Sequence, residues 1–345
     1  MAREDLGSPW VPGRQPAGMG LGQGAVGQLL DGHLADATAG SNPIGHTGPV
    51  RILSLLPSAT EIVYALGLQD ELVGVTHECD WPREAMAKRA VTASALPAGA
   101  APAEVDRMVS ESLAGGAPIY RLDEDAVREL RPDLILSQDL CAVCAVPSGH
   151  VDRALDALGC SAQVLSLDPA SLDDVLDCVV RVGEVTGSMD RARSVVASLR
   201  RRLGAVEDAV AGQPRPRTFA LEWSDPPFNG GHWVPEMVER AGGEPVLASY
   251  GTPSIRIQWE QIAVAAPDVV VFMPCGYDLA DAVREAHNIM CRPGIAGARA
   301  LFAVDAGSYC SRPGPRLVDG VELLASALHP GTVSPRVAGG IRRVR

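Results

Sequence analysis

Short apolar runs alternate with longer helix-patterned stretches between residues 51 and 328, and this alternation constrains the fold more than any single motif. Residues 52–56, 72–75, 134–137 and 164–167 are apolar runs bounded by Gly, Pro or polar residues, the pattern of short strands. Between them, 61–66, 125–130 and 151–158 carry helical spacing. The same texture returns after Pro216, with strands expected at 219–222, 269–273 and 301–304 and helices at 236–240 and 318–328. Such alternation means parallel sheet with crossover helices, so two α/β lobes are expected.

The connection between the lobes has its own signature. Residues 171–212 open with a capping pattern, Ser171 then Asp174, and pause at Thr186-Gly187-Ser188. Beyond the pause, Val196, Leu199, Leu203, Val206 and Val210 fall on one helical face. About 23 residues at roughly 1.5 Å each span about 35 Å, the width of a domain. A single long helix is therefore expected to join an N-terminal lobe, 50–170, to a C-terminal lobe, 213–330, and to allow only modest closure. Residues 1–49 contain 11 Gly and 5 Pro and too little apolar area to offset ordering, so they read as a disordered leader. Residues 331–345 read as a flexible tail.

Charge and cysteine usage narrow the function. The 345 residues include 42 acidic and 30 basic ones, a formal charge of −12, which leaves no broad cationic face for nucleic acid or an anionic membrane. The longest apolar stretches, such as 269–274, are far shorter than the roughly 20 residues of a spanning helix. Residues 1–49 offer no secretory apolar run, and the first cysteine is Cys79, so no lipid-anchor cysteine is expected either. Eight cysteines without an export signal point to reduced thiols and a cytoplasmic location. A monomer is expected.

In open α/β sheets ligands sit outside the carboxyl ends of the strands, which directs attention to the loops just after each strand. Those loops are Pro57-Ser58-Ala59-Thr60-Glu61, His77-Glu78-Cys79-Asp80-Trp81-Pro82, Asp225-Pro226-Pro227-Phe228 leading to Gly231-His232-Trp233-Val234-Pro235-Glu236, and residues 309–315. The order of "LLPSATEIVYALGL", "PDLIL", "PPF", "WVPEMVERAGG", "APDVVVF" and "RPGPRLVDGVELL" resembles the helical-spine (class III) substrate-binding proteins of ABC importers, over residues 50–328. The cobalamin-binding branch is most similar, with ferric-siderophore and haem binders as cousins. The resemblance implies two Rossmann-like α/β lobes joined by a single long helix, with ligand held reversibly between them and no catalysis. It also implies delivery to an ABC permease, docked through one acidic residue per lobe. The matching positions are Glu61 and Glu236, although a carboxylate at a helix N-terminus is also what the helix dipole favours in a merely solvated residue.

The strand-end loops concentrate unusual chemistry. The chain has five Trp, five Tyr and four Phe, and six of these (Trp81, Trp223, Phe228, Trp233, Tyr277 and Tyr309) fall in or beside the expected cleft. Flat faces of this kind suit a corrin or porphyrin, unless individual rings plug the inter-lobe core. Ser58, His77, Asp80, Asp139, Glu222 and His232 supply candidate polar contacts. Cys79, Cys141, Cys144 and Cys275 also follow strands and could approach a soft metal ion or the metal of a chelate. If residues 76–80 stay extended, His77, Cys79 and Trp81 share one face. The Cys141-Ala142-Val143-Cys144 pair lacks the following histidine of covalent haem attachment. It remains open between ordinary thiols, a redox pair and metal ligation. No G-x-S-x-G, P-loop or H-E-x-x-H is present. The expected function is non-catalytic binding of a cobalamin-like corrinoid or other metal chelate. Two alternatives stand beside it: a thiol-rich metal-trafficking protein or metalloenzyme, and an importer component whose export signal is missing.

Overall fold

The computed structural model describes residues 49–97, 100–114, 119–139 and 161–345, all within one compact unit spanning 41–345. The leader as far as residue 48, the helix expected at 151–158, and Cys141 and Cys144 lie outside the described residues.

The first lobe contains β1 (Ile52–Ser54), α1 (Pro57–Ala65), β2 (Leu72–Val75), β3 (Arg89–Ala90), β4 (Thr92–Ser94), α2 (Pro102–Ala114), β5 (Tyr120–Leu122), α3 (Glu124–Leu130), β6 (Leu134–Ser137) and β7 (Gln163–Ser166). Its main sheet is parallel, in the order β3-β2-β1-β6-β7, and β4 and β5 form a separate antiparallel pair. Every residue of β1 and β6 is buried, as unbroken apolar runs demand when both sheet faces are covered.

Two helices follow, α4 (Leu172–Val185) and α5 (Met189–Val210). The capping pattern is realised: the Asp174 N–H donates to Ser171 Oγ at 3.1 Å, and the Ser171 N–H donates to Asp174 Oδ2 at 2.9 Å. On α5 the stripe Val196, Leu199, Leu203, Val206 and Val210 is buried, with Ala192 added to it. Helix α5 alone is the spine, about 33 Å long at roughly 1.5 Å per residue. The 186–188 pause separates it from α4.

The second lobe contains β8 (Arg217–Ser224), β9 (Pro227–Asn229), α6 (Val234–Arg240), β10 (Glu244–Pro245), α7 (Trp259–Ala265), β11 (Val269–Phe272), α8 (Leu279–Ile289), β12 (Ala300–Val304), α9 (Ala306–Tyr309), α10 (Leu317–Leu328) and β13 (Ile341–Arg343). The sheet order is β10-β8-β11-β12-β13, with β9 paired to β8. Strands β8, β10, β11 and β12 run parallel, and β13 is antiparallel to β12. The tail expected to be flexible thus contributes a strand. Its end is fixed by the Arg345 guanidinium, whose Nη2 donates to the Ile295 carbonyl at 2.6 Å and whose Nη1 donates to that of Ala296 at 2.9 Å.

One core cluster runs without interruption from Ile52, Leu56 and Leu136 through Val179, Leu199 and Leu203 to Met237, Val271 and Leu324. The helical layer therefore shares its apolar face with both lobes. The opposite faces of the two sheets are covered separately, around Leu53 and Val127 in the first lobe and around Phe219 and Phe272 in the second. Strand order reverses between β1 and β6 and again between β8 and β11, which places the ligand-prone ends of both sheets at the loops after those strands.

Candidate functional site

In the first lobe, the exit from β1 turns directly into α1. Ser54 Oγ donates to the Leu56 carbonyl at 2.9 Å and accepts from Thr60 Oγ1 at 2.9 Å, which fixes the turn. Strand β2 stops at Val75, and the Cys79 N–H donates to the Thr76 carbonyl at 3.2 Å. That turn breaks the expected alternation. His77 is exposed, Cys79 is buried between Thr60 Oγ1 at 3.1 Å and Thr76 Oγ1 at 3.3 Å, and Trp81 emerges with 48% of its surface exposed. His77 Nδ1 lies 2.8 Å from Thr92 Oγ1, and its ring sits 5.7 Å from that of Tyr120. Asp139, at the end of β6, is exposed; its N–H donates to Asp168 Oδ1 at 2.6 Å, and its Oδ2 accepts from Ser166 Oγ at 3.4 Å.

In the second lobe, Trp223 near the end of β8 meets Tyr277 edge to face at 5.6 Å. Phe228 on β9 is half-buried beneath Arg256, whose Cζ lies 5.6 Å from the ring centroid. Tyr309 closes α9 and is half-buried.

These ends meet across the lobes at two places. Trp223 Nε1 donates to the Pro102 carbonyl at 3.2 Å, and Arg256 Nη2 donates to both Asp106 oxygens at 3.0 and 2.9 Å, so α2 leans on the second lobe. On the other side Arg312 pairs with Asp80 and donates to the Glu78 carbonyl at 3.1 Å. Arg316 Nη1 reaches Glu61 Oε1 at 3.4 Å, with its Cζ 4.6 Å from the Trp81 ring centroid and 4.8 Å from that of Tyr309.

The geometry places several of the expected contact residues away from open surface. Glu61, expected at a permease-facing position, is only 4% exposed and faces Arg316, its carboxylate closed into the lobe contact. Burial pushes its carboxyl up to about 7, against the pull of Arg316 and Arg312. Glu236 is half-buried and accepts the Leu172 N–H at 2.9 Å, helping to tie α6 to the start of α4. Ser58 is buried at 2% exposure under the loop carrying Gly314, whereas Asp80 pairs with Arg312 and stays exposed. Trp233 is a core strut rather than a ligand face: it is 5% exposed and its Nε1 donates to the Cys310 carbonyl at 2.8 Å. His232 stacks on it at 5.5 Å, and burial pulls its imidazole below the usual value. Glu222 accepts from the Gly231 N–H at 3.2 Å and from Ser254 Oγ, clamping the loops behind the rim.

Of the four expected metal ligands, Cys141 and Cys144 lie outside the described residues, and Cys79 and Cys275 sit in different surroundings. Burial raises the Cys79 thiol, which disfavours the thiolate a metal requires, while Cys275 is exposed after β11. Among the described residues no group of three or more His, Cys, Asp or Glu side chains is placed to hold an ion.

Arg312 and Arg316 were missed in the sequence, although they flank Pro313-Gly314-Pro315 beside Tyr309 in a strongly acidic chain. Asp106 and Arg256, 150 residues apart, carried no local signal. A shallow hollow of about 780 Å³ lined by Arg51, Arg128, Glu129, Arg131 and Asp133 lies at the opposite, N-terminal ends of β1 and β6. There Arg51 donates to the Leu130 and Arg131 carbonyls, closing the end of α3. Its chemistry is that of a helix cap.

Two α/β lobes on a helical spine, with rings gathered at the facing sheet ends, define a two-lobed binding protein. The chain belongs to the periplasmic binding protein family, whose model matches residues 52–301. It is 27% identical over 224 residues to a vitamin B12-binding protein of Yersinia pestis, covering 64% of this chain and 68% of that one. A vitamin B12-binding protein of Vibrio cholerae is 25% identical over 287 residues, covering 81% and 88%. Among solved structures, a periplasmic heme binding protein from Pseudomonas aeruginosa superposes with a TM-score of 0.65 at 23% identity, over 86% of this chain and 98% of that one. The periplasmic vitamin B12 binding protein BtuF of Vibrio cholerae gives 0.59 at 23% identity, over 81% and 97%. These are binding proteins, not enzymes, and the metalloenzyme reading finds no support. Nor does the cytoplasmic location, since the matching family model is that of periplasmic binding proteins. Among the described residues no helix is long and apolar enough to cross a membrane.

Proposed function

We propose that the facing sheet ends bind one planar metal chelate, a corrinoid or a porphyrin, reversibly and without covalent attachment, for delivery to an ABC permease. The observation that carries this reading is the set of aromatic side chains left at least partly open at both strand-end rims: Trp81 on one lobe, and Trp223, Phe228, Tyr277 and Tyr309 on the other. A macrocycle's flat apolar face is matched by rings that each offer about 150 to 250 Å² of contact. His77, exposed beside Tyr120, is the described side chain best suited to approach the chelated metal or a polar edge of the ring. The relatives named for vitamin B12 and heme support the ligand class and leave two candidates within it.

Absorbance titrations with cyanocobalamin and with haemin test the reading. The expected result is a saturable shift of the macrocycle bands at one equivalent per chain with one of the two. No shift with either compound would overturn it.

A further inference from the structure

Arg316 touches more of the inter-lobe contact than a simple ion pair requires. It stands at the N-cap of α10, on the second lobe, with its side chain 12% exposed. From there its guanidinium is in cation–π range of Trp81 on the first lobe and of Tyr309 on its own, while Nη1 reaches Glu61 on the first lobe. The loop can come this close because position 314 has no side chain: a Cβ on Gly314 would lie 3.2 Å from Glu61 Oε2 and 3.5 Å from Ser58. Tyr309 is backed in turn by the C-terminal segment, since a Cβ on Gly340 would lie 2.6 Å from Tyr309 Cε2. The Asp305 N–H donates to the Gly340 carbonyl at 3.0 Å, holding that segment against the start of α9. Ring, guanidinium, ring and carboxyl are thus linked in a chain that crosses from one lobe to the other.

We infer that Arg316 is a positioning residue of the ligand site, holding the Trp81 indole of one lobe in register with the Tyr309 ring of the other. This deepens the macrocycle-binding reading and rests on it. The guanidinium suits the task because it is planar, stays charged, and can stack on rings while still donating to a carboxylate; an ammonium is a point charge and cannot do both. With the indole braced by Arg316 and still 48% exposed, its open surface is held ready for ligand without having to be ordered on binding.

The test uses the full-length chain with Arg316→Ala, Arg316→Lys and, as a more conservative filling of the site should the alanine variant fail to fold, Arg316→Met. Acrylamide quenching of Trp81, read in the ligand-free protein as the difference from a Trp81→Phe background, reports the indole directly. Arg316→Ala or Arg316→Met is expected to raise that quenching about twofold, the ring being half-exposed at the start, and to weaken binding of cyanocobalamin or haemin by about tenfold. Arg316→Lys retains a charge for Glu61 and is expected to melt near the wild type while remaining as weak a binder as the alanine variant. Unchanged quenching and affinity in the alanine or methionine variant would overturn the inference, as would full recovery of both by lysine. A wild type that binds neither macrocycle removes the proposed function, whereas the quenching comparison still decides whether Arg316 positions Trp81.

Discussion

At the scale of single residues, Glu61 shows how burial can reverse an expectation drawn from local sequence. At the start of the helix expected over 61–66 it reads as a solvated, dipole-stabilised carboxylate, yet it falls in the second turn of α1, is only 4% exposed, and desolvation outweighs the attraction of Arg316 and Arg312. Its Oε2 has no hydrogen-bond partner among the described residues. The folded-state value near 7 lies above the ordinary 4.5, so the unfolded chain loses this proton first as pH rises. Stability is therefore fully present below about pH 4.5 and is lost as pH climbs towards 7, by up to about 1.4 kcal/mol per pH unit for a single proton. Chemical denaturation of wild type and Glu61→Gln across pH 4.5 to 8 is expected to show this loss in the wild type only, and parallel curves would contradict it. Nothing near Glu61 in the chain announces its burial, because the arginine that covers it lies 255 positions later. Trp233 was illegible for the same reason: its partner is the carbonyl of Cys310, and sequence spacing cannot separate a rim aromatic from one turned inward.

At the scale of elements, two glycines on the helical layer give opposite predictions. A Cβ on Gly183 in α4 would overlap the Ala192 Cβ of α5, whereas a Cβ on Gly204 in α5 meets nothing within 4 Å. Alanine gains up to about 1 kcal/mol over glycine in a helix interior, and overpacking costs about 1–3 kcal/mol. Gly183→Ala is therefore expected to destabilise the protein by about 1–2 kcal/mol and Gly204→Ala to stabilise it by about 0.5–1 kcal/mol. Urea unfolding midpoints check both signs. The spine itself was legible because its stripe of Val and Leu recurs at helical spacing and its neighbour opens on a Ser-x-x-Asp cap. Helix α8 was not read from the sequence: the face it buries is Ala282, Ala286 and Ile289, mostly small alanines that do not stand out as an apolar stripe. Strand β13 was hidden by its composition: Ile-Arg-Arg reads as a charged tail until the edge of β12 supplies a partner.

At the scale of the whole molecule, the shared core makes the helical layer a common floor for both lobes, and the arginine pairs join them at the sheet ends. Arg202, its side chain 12% exposed, pairs with Asp319 and with Glu322 at 2.8 Å and so ties the spine to α10. Modest closure at the ligand-facing side is the expectation that follows. The bias of rings towards strand ends, on which the proposed ligand class rests, was legible because strand order dictates where such ends converge. Which rings remain open was not, because that depends on turns such as the one after β2 that interrupt alternation. The central claim, that open aromatic faces on opposite lobes hold one macrocycle, is tested most directly by the affinity of Trp81→Ala/Tyr277→Ala measured beside the wild type by absorbance titration. A loss of about a hundredfold, roughly 1.4 kcal/mol per ring, is predicted with little change in melting temperature; undiminished affinity in the double variant would contradict it.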